Sequence, residues 1–287
     1  MAKTEINKND GNTGNIAGGD IINNHYYVMD KAQAETMLRD LFHENFPKLQ
    51  AQAKETIKAR FNELSNQLFD TLAQNNFSNF QVFADPDVQW VLNDAFCQYA
   101  RIGKAELRDF LGEIIVKRLN ADDDLTKIIL NEAIKVTAKL TQAQRDWLSM
   151  VTLVRHSQFG HEGATEVSFS DIIDIFKEVL IPLSSSGKPE PIDIDHLSFL
   201  GCSEVPIFKE SFLKSLQRNY FSTFSAFNLQ SQSIEDYIVA QCPEAKQVFL
   251  NYNSGLEKLN LSAVGKAIGL INAKIRVNAP VHNQRYF

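Results

Sequence analysis

Arg155-His156-Ser157-Gln158-Phe159-Gly160-His161 is the run of this 287-residue chain whose residue types and spacing come nearest to chemistry. A guanidinium offers two parallel N–H donors to a phosphate or carboxylate. An imidazole exchanges a proton near neutral pH. Gly160 directly before His161 works against this, because it breaks the helix that would present the imidazole. The plainer account is an arginine near a helix C-terminus, where it suits the dipole, followed by a loop with two exposed histidines. Other chemistry finds less support. The histidines at 25, 43, 156, 161, 196 and 282 include no pair at helical ligand spacing, and no HExxH run exists. Gly18-Gly19 lacks a following Lys-Ser/Thr, and no Gly-x-Ser-x-Gly elbow occurs. The acidic run Asp122-Asp123-Asp124 stands at a helix start, where carboxylates cap free N–H groups rather than hold a metal. No cofactor and no metal are expected.

The Arg–polar–His spacing resembles the motif of the HEPN-type ribonucleases, small helical bundles that dimerise to build their site. The resemblance implies that Arg155 holds the scissile phosphate and His161 acts as acid or base, without a metal. It covers only seven residues, and Gly160 departs from the helical presentation it needs. A metal-independent ribonuclease is therefore the alternative function, second to the plainer account.

Composition narrows the class. Hydrophobic residues make up 44% and charged residues 22% of the chain, the balance of an ordinary globular protein. The net charge is −6 with no long basic run, so neither nucleic acid nor a membrane surface has electrostatic support as a partner. Cys97, Cys202 and Cys242 are odd in number and far apart, which suits small buried hydrophobes in a reducing compartment. The N-terminus has no apolar leader, and no window reaches the ~20 apolar residues of a membrane span. A cytoplasmic protein with no transmembrane segment is expected.

The elements that must position these residues read as helices. Apolar residues at Leu49, Ala53, Ile57, Phe61, Leu64, Leu68 and Leu72 keep steps of three or four, a helix of about 40 Å starting near Pro47. A shorter helix over 30–44 precedes it. Helices follow over 86–102 and 104–119. Residues 125–139 and 142–155 form the most apolar pair, with Leu125, Ile128, Ile129, Ala133, Ile134 and Val136 expected to face the core. Thr141 and Gln144 have the spacing of a capping box. A helix over 170–181 ends at Pro182, and residues 182–195 read as a linker in which Ile192 and Ile194 could form an edge strand. Helical segments resume near Pro206, over 233–241 and 243–252, and over 262–275. In this last helix Gly265 and Gly269 have small-xxx-small spacing, read as close helix packing. Phe221, Phe224 and Phe227 read as core filling. The fold class is mainly α: a multi-helix bundle with a short N-terminal β-hairpin. The expected units are 1–29 as a β oligomerisation element, 30–181 as a bundle with core hairpin 125–155, 182–195 as linker, and 196–287 as a C-terminal helical subdomain packed on the first.

The N-terminal stretch GNTGNIAGGDIINN is unlike the rest. Gly18-Gly19 between Ile-bearing runs is a hairpin-turn signal. An isolated two-stranded hairpin is marginal in water. Strand pairing between subunits therefore gives Asn15, Ile16, Gly18, Gly19, Asp20, Ile21 and Tyr27 an oligomerisation role, against the alternative of a solvated tail. GNIAGGDIINN, together with LTKIILNEAIKVTAKLTQAQRDWLSMVTLVR and LSAVGKAIGLINAK, resembles an uncharacterised group of bacterial proteins with a helical body. Similar leaders on bacterial conflict proteins imply a role in anti-phage defence. The resulting expectation is a non-enzymatic, homo-oligomeric sensor or adaptor whose partners are itself and another protein.

Overall fold

The computed structural model describes residues 31–156, 168–204, 209–219 and 231–277. The chain divides into two compact units, Met1–Glu55 and Thr56–Phe287. In the first unit the described residues are the opening turns of α1 (Lys31–Gln74). The oligomerisation residues Asn15 to Tyr27 lie outside the described residues, as do His161, Pro206 and the phenylalanines at 221, 224 and 227. The architecture is mainly α, with one two-residue antiparallel ladder, β1 (Ser203–Glu204) against β2 (Asn260–Leu261), among the described residues.

α1 corrects one expectation, because it runs unbroken through Pro47. An interior proline costs about 3 kcal/mol, but the Ala-, Gln-, Lys- and Glu-rich sequence after it consists of strong helix formers. In the second unit Leu64, Leu68 and Leu72 are buried, whereas Ile57 and Phe61 remain half exposed although the Phe61 ring lies tilted against Phe96 with centroids 4.5 Å apart. α2 (Pro86–Ile102) begins with an Asp85 cap and ends at Gly103, whose φ of 66° suits glycine. The Arg60 side chain covers that end by donating to the carbonyls of Ala100 and Arg101. α3 (Ala105–Leu119) follows. Its buried Arg118 bonds Asp87 of α2 and Asn131 of the next helix, joining three helices at one point.

α4 (Asp124–Thr137) starts at the Asp123 cap, so the acidic run serves the helix terminus as expected. Its buried face is Leu130, Ala133, Ile134 and Thr137. Leu125 and Ile128, expected in the core, are 67% and 57% exposed. The bonded contacts of Asn131 with Arg118 and Asp87 fix the rotation of the helix and leave the Leu125–Ile128 line outside. α5 (Gln142–His156) is different: every residue from Gln144 to Arg155 is buried. The Thr141–Gln144 capping box is present in both directions, at 3.1 and 3.2 Å.

After α5 come α6 (Phe169–Ile175), a π-turn (Phe176–Leu180) and α7 (Ile181–Ser184), the last of which packs on α5. Pro182 does not end this helix. The wide turn sends the Ile181 N–H to the Phe176 carbonyl, and Pro182 needs no acceptor of its own. Residues 182–195 hold the end of α7, a turn and the start of α8 (Pro191–Phe199); Ile192 and Ile194 are helical, not strand. Pro191 at the first helical position and Asp193 in a capping box with Glu190 explain that helix. The turn is tied down by Trp147, which donates to the Gly187 carbonyl at 2.8 Å. Next come α9 (Phe212–Asn219), α10 (Ser231–Gln241), α11 (Ala245–Asn253) and α12 (Ala263–Val277). α12 lies along α5. Cys202 and Cys242 are buried as expected, but Cys97 is exposed on the outer line of α2.

Candidate functional site

Arg155 closes α5 and sits at the best chemical candidate of the sequence. The fold uses it as a clamp. Its Nε donates to the Tyr252 hydroxyl at 2.7 Å, and its Nη1 to the Leu259 carbonyl at 2.5 Å. Nη2 donates to the carbonyls of Glu257 at 2.7 Å, Leu256 at 3.1 Å and Glu210 at 3.2 Å. The residue is 7% exposed. A planar fork with donors on all three nitrogens suits this cluster of main-chain oxygens. The Glu210 carboxylate lies 3.9 Å from Nε and bonds Arg218 at 2.5 Å. Arg218 and Asn219 in turn donate to the carbonyls of Arg155 and Val154, capping the end of α5. Burial pushes the Tyr252 phenol up to about 12, against the opposing pull of Arg155, so it remains neutral and accepts the arginine's hydrogen bond.

His156 follows the clamp. Burial, then the positive charges of Lys266, Arg155 and Arg218, lowers its pKa from 6.5 to about 4. The folded form therefore holds the imidazole neutral while the unfolded chain protonates near 6.5, and stability falls as pH drops through that window. His156→Gln is expected to flatten the loss of stability between about pH 6.5 and about pH 4 by up to ~1.4 kcal/mol per pH unit, measured by urea unfolding across pH. An unchanged pH slope would show that the imidazole titrates alike in both states.

A second polar centre, which the sequence reading missed, lies at the start of α5. Asp146 is 0% exposed. Its Oδ1 accepts from Gln142 at 2.7 Å and Asn272 at 2.9 Å, and its Oδ2 from Ser186 at 2.7 Å. Arg276 stands 3.4 Å from the same carboxylate. Asn272 also donates to Ser149 at 2.8 Å and accepts from Gln142 at 3.0 Å. These bonds satisfy a carboxylate that would otherwise be costly to bury, and they set α12 against α5. The available signal was a polar residue on each of two apolar helices, Asp146 and Asn272. Their partnership crosses 126 residues and no local pattern shows it. Nearby, Gln144 joins the ring of His196 at 3.0 Å and Asp193 at 3.3 Å.

Of the sequence-predicted residues, then, Arg155 is placed in a structural cluster. His161 and the oligomerisation set, Asn15, Ile16, Gly18, Gly19, Asp20, Ile21 and Tyr27, fall outside the described residues. Among the described residues no group of three His, Cys, Asp or Glu side chains is placed to hold a metal ion, and no helix is long and apolar enough to cross a membrane. One family model, of an uncharacterised family, matches the chain over residues 29–233. No curated protein and no solved structure matches it.

Proposed function

The chain belongs to that uncharacterised family through residues 29–233, and we propose that it is a non-enzymatic, homo-oligomeric sensor or adaptor. In this reading residues 1–29 join copies through Asn15, Ile16, Gly18, Gly19, Asp20, Ile21 and Tyr27, and the helical body contacts a second protein. The observation that carries it is how the second unit distributes its side chains. Arg155 and Asp146 are spent inside the fold, while Trp90, Leu125, Ile128 and Phe199 are left 57–84% exposed. Apolar side chains held outside suit contact with other proteins. Several weak contacts on one assembly then act together, because each after the first is effectively intramolecular. A place in bacterial anti-phage defence rests on the likeness of the leader alone. The ribonuclease alternative asks Arg155 to grip a phosphate with donors that already hold Tyr252 and four carbonyls.

Deleting residues 1–24 is expected to lower the mass seen by light scattering while leaving the helical circular dichroism of the body intact. An oligomer of unchanged mass would overturn the assembly role of this stretch.

A further inference from the structure

The outer line of α4 is apolar in its first half, holds the Glu132–Lys135 ion pair at 2.6 Å in its second, and carries opposite charges at its two ends. Leu125 and Ile128 stand on it, 67% and 57% exposed, and Trp90 of α2 lies beside it, 58% exposed, with Lys135 over its ring at 5.2 Å. Asp122 is exposed just ahead of the helix, and Lys139 is exposed in the turn after it. Helix capping accounts for Asp123, which accepts from the Thr126 N–H at 2.8 Å. Capping accounts for neither Asp122 nor the two apolar side chains, which stay more than half exposed among the described residues.

We propose that this line is an interface with a second copy of the same chain, paired antiparallel about a two-fold axis near the middle of α4. An isologous contact must be self-complementary. Antiparallel pairing sets Asp122 of one copy against Lys139 of the other, twice. It also lays Leu125 and Ile128 of one copy toward Trp90 and Lys135 of the other. Parallel pairing would oppose like charges at both ends. A uniformly acidic or basic partner would match one end and repel the other, so the charge pattern selects a second copy. The exposed apolar surface is small beside the roughly 800 Å² per partner of a standard interface, which makes this a weak contact that any other contact in an assembly would strengthen. It is separate from the N-terminal element and does not depend on it.

The test is made with the full chain by sedimentation velocity. Asp122→Lys and Lys139→Glu each place like charges at both ends of a homotypic pair, and each is expected to weaken self-association by at least about tenfold. An equimolar mixture of the two single variants recreates opposite charges at both ends and is expected to restore association toward that of the unaltered chain. The Asp122→Lys/Lys139→Glu double variant should do the same. Single variants that associate as strongly as the unaltered chain would overturn the proposal, as would a mixture no stronger than its components. Loss of mass on deleting residues 1–24 with no effect of the charge reversals would leave the N-terminal reading standing and remove this one. The opposite result would do the reverse.

Discussion

Arg155→Ala is expected to destabilise the protein by about 3–5 kcal/mol, seen as a fall in the urea midpoint, because it empties a buried charged cluster. The variant leaves the Tyr252 hydroxyl and the carbonyls of Glu210, Leu256, Glu257 and Leu259 without the donor they share. Each buried polar group so stranded costs about 1–3 kcal/mol, less where water reaches it. Arg155→Lys keeps the charge but replaces the fork by a compact ammonium that cannot reach both the hydroxyl and the carbonyls, so it should recover only part of the loss. The same variant separates two roles for the residue. An arginine waiting for a phosphate is removed at little cost to stability, and functional sites often gain stability when altered. A loss below about 1 kcal/mol would mean that the clamp does not bear on folding, and would return Arg155 to the ribonuclease reading.

Legibility in the sequence followed the range of the physics. Helix ends were readable because capping is local: Asp123 and the Thr141–Gln144 pair are found where residue type placed them. Two prolines misled for an equally local reason. Pro47 and Pro182 disfavour helix in isolation, but strong helix formers follow the first and a π-turn precedes the second. Facing was harder. Leu125 and Ile128 share the periodicity of Ile129 and Ile134, and only the Asn131 bonds to distant Arg118 and Asp87 decide which side turns inward. The candidate site was least legible. Arg155 stood out by type and spacing, yet its partners lie 55 to 104 residues away, beyond any pattern within one helix. The β1–β2 ladder was missed because each strand has two residues, too few to show alternation.

Gly269→Ala is expected to cost about 3 kcal/mol, although alanine is the better helix former by up to ~1 kcal/mol at an open position. A Cβ there would lie 2.4 Å from the Thr152 hydroxyl and 2.5 Å from the Leu148 carbonyl oxygen. The carbonyl belongs to the main chain of α5, which is buried on all sides and cannot step back without disturbing the Asp146–Asn272 bonds one turn along. Gly265→Ala meets the Cys202 carbonyl oxygen at 2.0 Å and should be comparably damaging. Gly112→Ala is the control. Its Cβ would meet the flexible Gln67 side chain at 3.0 Å, so the helix-forming gain should offset most of the contact. Urea unfolding of the three variants thus separates helix propensity from packing, because propensity alone predicts stabilisation at every site. The outcome also bears on what the Gly265–Gly269 spacing is for. Glycines that admit neighbouring main chain within one subunit make their alanine variants unfold more easily at unchanged oligomeric mass; glycines that served a subunit contact would lower the mass and leave the unfolding midpoint of the separated chain where it was.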